Sequence, residues 1–493
     1  MKNLSKKALL LALGLGLAST TATFAQQQGA GGDGIWSLEE AINYAKANNL
    51  NVRQSGLNRD LSRADLNQSK FSRLPSINAN GNYSFNTGSF QDPVTFNLQT
   101  QNARTANASI NANLPLFSGF QQVNQVKRDA LALEASEQEY LSAQNDITIQ
   151  IVTAYLNILF ANEQMSISEL QRGLTQQQLN RTRILFKAGS VAENAVLDLE
   201  SQLATDELNF ITAQNQRDIS RLSLMQLLNI PTSEAFQVEI PQIPEPDETP
   251  VIVDGNQVYD IAVQTQPSIR AVDLRLRSSE KGLDVARGAY YPRLSLFAGA
   301  GSRFANTSRR IIGFETIDSG TTTPQLVYLD ENRTQPQTLY FPDINRQAIE
   351  EDYPLFRQFD DNLSTQVGLS LQIPILNGFQ ARTGVQRAKL AQQNAQLNSD
   401  IARNNLRQTI EQSYVDALAA QRRYAAAKEQ VIASEKNFRN AELRLNSGVI
   451  NTVDFNVIAN TYRSAQSSLN QAKYDYTFKL KVLDFYQGKD LSF

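Results

Sequence analysis

The chain contains no cysteine and no histidine. Their absence excludes disulfides and thiol nucleophiles, and with them the usual zinc ligands and the commonest general base. It also leaves no cysteine to carry a lipid after an export signal. Beyond the N-terminal region no run is apolar over the roughly 20 residues that a spanning helix needs, so a membrane crossing has to be made by strands. Glycine-rich phosphate loops and nucleophile motifs are missing as well. The basic residues form no clustered face of the kind nucleic acid requires. We therefore expect no enzyme, no catalytic residue, no metal or other cofactor, and no nucleic-acid partner.

The N-terminus reads as an export signal. Lys2, Lys6 and Lys7 precede an apolar run from Ala8 to Leu17, and small residues lead to Ala25. This is the order a signal peptidase recognises, so residues 1–25 are expected to be a signal peptide. Without its three lysines the formal charge falls from −3 to −6.

The rest of the chain reads as one unit written twice. Leu114-Pro-Leu-Phe-Ser-Gly-Phe-Gln121 answers Ile373-Pro-Ile-Leu-Asn-Gly-Phe-Gln380 at an offset of 259, which also takes Tyr155 to Tyr414 and Gly189 to Gly448. Upstream, Leu74-Pro75-Ser76-Ile77 answers Tyr291-Pro292-Arg293-Leu294 at an offset of 217, which takes Ala45 to Ala262 and Val52 to Ile269. We expect a first repeat over 26–230, a proline-rich connector over 231–256, a second repeat over 257–487 and a short tail, 488–493.

Proline is absent from Leu116 to Ile230 and after Pro374. Val126, Ala130, Leu133, Tyr140, Ile147, Ile151, Ala154 and Ile158 recur at three-, four- or seven-residue steps, the stripe of a long packed helix. Helices are expected near 37–73, 119–187, 191–229, 257–290, 378–446 and 452–487; the two longest each reach about 100 Å. Between them lie β-hairpins, 76–114 and 293–373. Ile77, Ala79, Gly81, Tyr83 and Phe85 alternate with Asn78, Asn80, Asn82, Ser84 and Asn86. Thr365, Val367, Leu369, Leu371 and Ile373 alternate with Ser364, Gln366, Gly368, Ser370 and Gln372. Such alternation gives a sheet with one apolar and one wet face, and strands of about ten residues suit a tilted bilayer crossing. Four strands cannot close in lipid, so copies of the chain must pool them; three copies supply twelve. The span 303–362 reads as a long extracellular loop inside the second hairpin.

In this order, spacing and doubling the chain resembles the TolC-like outer-membrane factor family. The residues carrying the resemblance are the turns at 115–120 and 374–379 and the glycine-centred tips Phe186-Lys-Ala-Gly-Ser190 and Leu445-Asn-Ser-Gly-Val449. The resemblance implies an α+β membrane protein: long antiparallel coiled-coil helices forming an α-barrel, and four transmembrane strands per chain entering a 12-stranded β-barrel. It implies a homotrimer in outer-membrane lipid, with its helical part in the periplasm. There it would meet a periplasmic adaptor (membrane fusion) protein and an inner-membrane pump. The function implied is a passive conduit for efflux or type I secretion; a structural coiled-coil or adhesin-like surface protein is the rival reading.

The resemblance further implies a periplasmic aperture just beyond the tip glycines, Gly189 and Gly448. Candidate aperture residues are Asp454, Asn451, Asp198 and Asn194. Asp454 follows Gly448 by six residues and Asp198 follows Gly189 by nine, but Val457, Ile450 and Ala195 stand where the family carries charged residues. The glycines also suit plain helix C-caps, and Asp454 suits a helix start. Pro115, Gly119, Pro374 and Gly378 are read as strand-to-helix turns, the prolines stopping strand pairing.

Overall fold

The computed structural model describes residues 34–91, 98–232, 235–240, 245–246, 254–328, 336–450 and 452–489. The expected signal segment, much of the connector and the end of the tail lie outside the described residues. In chain order the first half contains β1 (Ile35–Trp36), α1 (Leu38–Asn48), α2 (Leu50–Phe71), β2 (Ser76–Gln91), β3 (Leu98–Ser118), α3 (Gln121–Lys187) and α4 (Glu193–Leu228). Next come β4 (Gln237–Val238), α5 (Gly255–Thr265), α6 (Pro267–Arg287), β5 (Arg293–Ala305), β6 (Arg309–Tyr328) and β7 (Pro336–Asp352). The chain closes with α7 (Leu355–Asp361), β8 (Ser364–Gln372), α8 (Gln380–Asn446) and α9 (Thr452–Tyr486). These elements fall into two compact units, and both α3 and α8, each of 67 residues, contribute to each.

Each expected helix forms close to its expected ends, but the first and fourth are broken. Asn49 and Gln266, 217 residues apart, adopt extended backbone (ψ 133° and 125°). In the second case Pro267 follows and disfavours a helical residue before it.

One unit comprises residues up to Ser55, 140–266 and everything from Leu406 onward. Its core gathers Trp36, Ile42, Val52, Ile147, Ile151, Tyr155, Leu159, Leu224, Leu228 and Phe236. The lower part of the predicted α3 stripe is therefore buried. Ser37 and Glu40 cap α1 reciprocally, each side chain accepting from the other's backbone N–H. The Tyr155 hydroxyl lies 3.1 Å from the Trp36 carbonyl and 2.5 Å from that of Glu239, tying α3 to the parallel pair β1–β4. Burial, reinforced by the Glu239 carboxylate, pushes this phenol well above its ordinary range. At the two helix breaks, Asn49 Nδ2 donates to the Leu227 carbonyl (2.8 Å) and Gln266 Nε2 to that of Phe485 (3.3 Å). Those carbonyls sit at the ends of α4 and α9, which close with left-handed residues, Asn229 (φ 59°) and Gly488 (φ 83°). Asp206 is buried between α4 and α3, accepting from Thr175 (2.6 Å) and Gln202 (2.9 Å).

The other unit comprises residues 56–139 and 267–405. Here the N-terminal part of the α3 stripe is only half-buried, and the buried positions are Asp129, Ala135 and Ser136. Ser136 Oγ meets Ser62 Oγ at 2.8 Å, so this packing is partly polar. A four-stranded antiparallel sheet runs in the order β2-β3-β5-β8. Its register gathers most of the apolar positions on one face: Ala79 pairs with Ile110, Ile110 with Ala300, Leu296 with Leu369, and Leu294 with Leu371. A slip of one residue in any pair would mix the faces. Asn78 with Asn111, and Asn80 with Ser109, line the other face, where Phe297 lies over Gly368. The apolar face is bare within the chain: Val367 is 76% exposed and Ile77 68%.

Two expectations need correction. Pro115 does not stop β3: pairing continues from Pro115–Ser295 to Ser118–Arg293 across a bulge at Leu116. The bulge absorbs the proline, which donates no ladder hydrogen bond. The span 303–362 is not an irregular loop but the antiparallel hairpin β6–β7 followed by α7. Two register shifts and three prolines break its alternation, which hid the strands from pattern reading.

Helix α7 covers the edge of β5 beyond the reach of β8. Gln358 is buried, accepts from Ala305 N–H (3.0 Å) and donates back to the Ala305 carbonyl (3.0 Å), like a neighbouring strand. Ser302 Oγ donates to the Phe359 carbonyl, and Asn362 Nδ2 to that of Arg303. Replacing Gln358 by alanine strands both backbone groups, a cost of about 1–3 kcal/mol. We expect faster hydrogen exchange at Ala305 and through α7 in that variant; unchanged protection would mean that the hairpin is anchored elsewhere.

Candidate functional site

The sequence points to two sets of residues, and each is built twice. In the first unit the helical tips close identically. Gly189 (φ 72°) and Gly448 (φ 70°) are left-handed. Ser190 N–H returns to the Leu185 carbonyl and Val449 N–H to that of Arg444, both at 2.9 Å, while Gly189 and Gly448 donate to Phe186 and Leu445. This is the six-to-one, five-to-two closure that favours glycine at a helix end. Lys187 and Arg444 in the preceding last turns, and Glu193 and Asp454 in the following first turns, match the helix dipoles.

Of the aperture candidates, Asn194, Asp198 and Asp454 are exposed: Asn194 and Asp454 on the first turns of α4 and α9, and Asp198 one turn further along α4. Asn451 lies outside the described residues. The tips are stiffened by contacts that the sequence did not single out: Phe438 stacks on Tyr462 and Phe455 (centroids 5.3 and 5.6 Å apart), Asn456 donates to Gln178 (3.1 Å), and Arg183 pairs with Glu200 (2.7 Å). Further along this unit α3, α8 and α9 border an open groove of about 500 Å³. Glu163, Leu170, Val431 and Arg463 line it, and one Arg463 guanidinium nitrogen is buried there with no protein acceptor among the described residues. No group of three or more acidic side chains able to hold a metal occurs among the described residues.

In the second unit the strand-to-helix turns carry two consecutive left-handed residues each: Gly119-Phe120 (φ 61° and 61°) and Gly378-Phe379 (φ 60° and 60°). Sequence reading identified the glycines but not the strained phenylalanines. The two turns differ in surroundings. Gly119 is pressed against the end of α6, where an added Cβ would lie 2.4 Å from the Gly288 carbonyl oxygen and 2.8 Å from Tyr291 Cβ. Gly288 in turn has room for no side chain, since its Cβ would meet the Gly119 carbonyl at 2.6 Å. Gln121 locks this joint, donating to the Val285 carbonyl (3.1 Å) and accepting from Arg293 (3.2 Å). A Cβ added at Gly378 would meet nothing within 4 Å beyond its chain neighbours, and Ile375 (95%) and Leu376 (84%), next to Pro374, stand exposed.

This contrast is measurable. Gly119→Ala combines an adverse φ with a clash against backbone and should cost roughly 2–5 kcal/mol, whereas Gly378→Ala pays about 1–2 kcal/mol for φ alone. Chemical denaturation of the two variants should show that gap; equal losses would mean that both turns are equally enclosed.

The chain as a whole has counterparts among known proteins. The model of the family described as "Outer membrane efflux protein" matches residues 41–229 and 258–489. Among curated relatives, the outer membrane protein TolC of Escherichia coli (strain K12) is 23% identical over 443 residues, 89% of this chain and 80% of that protein. Toxin and drug export protein A of Aggregatibacter actinomycetemcomitans is 20% identical over 79% of this chain and 74% of its own length. Among solved structures, the Campylobacter jejuni CmeC outer membrane channel superposes with a TM-score of 0.69 at 16% identity, covering 92% of this chain and 87% of that one. The Vibrio cholerae outer membrane protein VceC gives 0.67 at 14% identity, covering 92% and 97%. With a match over both halves, the chain belongs to the outer membrane efflux protein family.

Proposed function

We propose that three copies of this chain, each a tandem duplication of one unit, join their sheets into a 12-stranded barrel in the outer membrane. As a family member the protein is an outer-membrane channel component for efflux or secretion. On our reading its helical part extends into the periplasm, where an adaptor and an inner-membrane pump deliver the exported solute. The α3–α9 groove with its Arg463 is the surface we assign to an acidic side chain of such a partner.

One observation carries the proposal: a four-stranded sheet with a bare apolar face and two outer edges, those of β2 and β8, that pair with no described strand. In lipid such edges are untenable, because each unpaired backbone group costs several kcal/mol. The filament or adhesin alternative leaves them unexplained.

The duplication says how the edges meet. Within the chain β3 pairs with β5, Ile110 opposite Ala300. Moving β3 forward by 259 gives β8, and moving β5 back by 217 gives β2. Between copies, then, Leu369 should face Tyr83, Val367 face Phe85, and Leu371 face Gly81. The two offsets were set by different motifs, yet the derived register keeps apolar opposite apolar around the ring, a parity that chance would break half the time.

Two measurements test this. Tyr83→Cys with Leu369→Cys, in a chain otherwise free of cysteine, should cross-link between copies up to a covalent trimer. The purified protein should also conduct in a planar bilayer. Cross-links at another register would refute the pairing, and a folded protein without conductance would favour the filament.

At the periplasmic mouth, three copies of Asp454 would surround one axis and attract cations, an effect that salt weakens. Asp454→Asn should lower cation selectivity, read as a smaller reversal potential under a salt gradient at low ionic strength, with trimer yield unchanged. Identical reversal potentials would reduce Asp454 to a helix-start residue.

A further inference from the structure

The hairpin β6–β7 has strands of 20 and 17 residues and no core of its own. A lone two-stranded hairpin is at best marginally stable in water, so something must cover it. Its two ends differ. At the base Arg309 pairs with Asp352, and Arg310 with Glu351. In the distal part the described residues 320–328 and 336–342 carry no charge. Their register is Pro324 with Tyr340, Tyr328 with Pro336 and Thr322 with Pro342, which puts Leu326 on the same face. That face is therefore an uncharged, largely apolar patch of Pro324, Leu326, Tyr328, Pro336, Tyr340 and Pro342, with Thr322 and Thr338 between them and with Leu326 67% and Tyr340 66% exposed. The opposite face interleaves Gln325 and Gln337 with less exposed Leu339 and Phe341.

An exposed contiguous apolar patch on this scale marks a contact surface. The prolines narrow the type of contact. Each lacks the N–H that a further strand would need, so edge-on strand addition is blocked and the occupant must lie on the face. The hairpin leaves the sheet between β5 and β8, and β8 is the strand that the trimer reading places at the seam between copies. On that reading the sheet's own apolar face meets lipid, so the apolar surface left for the patch is its copy on the neighbouring chain.

We infer that the distal faces of the three hairpins pack on one another around the common axis, forming an apolar cap beyond the sheet. This inference rests on the trimeric reading, and its test separates the two. A single cysteine at Tyr328, in a chain with none of its own, should give a covalent dimer as the main product with a short bifunctional maleimide. Leu326→Asp with Tyr340→Asp, added to that variant, should reduce the dimer to background. The strand cross-link between positions 83 and 369 serves as the reference. If the strand link forms and the tip link does not, the hairpins stand apart and the inference is overturned while the trimer stands. If the tip link survives both aspartates, the tips are merely near one another and face packing is refuted. If neither link forms, the trimer itself fails and the cap with it.

Discussion

Everything in the second unit depends on the backbone hydrogen bond at the edge of a sheet. An interior strand satisfies its amides on both sides; β2 and β8 satisfy theirs on one. Water can supply the missing partners for a soluble sheet, but hydrocarbon cannot. A chain that presents an apolar face and two open edges is thus energetically incomplete by itself in a bilayer. On the trimeric reading, symmetric association completes it by repeating between copies the pairing that joins β3 to β5 inside the chain.

The same concern recurs wherever regular structure stops. Asn49 and Gln266 interrupt helices, and each sends its side-chain amide to the last turn of another helix. Gln358 substitutes for a strand, and Tyr155 satisfies two carbonyls beside a short parallel pair. These are long polar side chains used as detachable pieces of backbone. Buried, they help specify one arrangement, since an unpaired amide in the same place would be costly.

Helices and the strands of the four-stranded sheet were legible because their periods are long and clean. The glycine tips were legible because only glycine takes a left-handed closure without cost. What escaped reading depended on partners distant in sequence. Nothing near Gln358 indicates that it will pair with Ala305, and nothing near Asn49 points to Leu227. Phe120 and Phe379 occupy left-handed backbone that residue type alone argues against. Hairpin β6–β7 was missed because bulges and prolines erase the alternation that reveals a strand. Asn194 and Asp454 are exposed helix-start residues, while the aromatic stacking beside Asp454 and the ion pair at the other tip were announced by no motif.

The joint between Gly119 and Gly288 has a mechanical meaning. Within the chain two glycines let backbone approach backbone, and Gln121 fastens them. The position 217 residues before Gly288 is Phe71, whose ring is 63% exposed. On the trimeric reading a neighbour's Gly378 turn arriving there would meet a benzyl group instead of a bare α-carbon, so it would not seat as closely. Around a ring of three copies, stiff joints inside chains would then alternate with compliant ones between them. On that reading a strain imposed at these turns would be taken up at the seams between copies, while the Gly119–Gly288 joint inside each chain held its shape.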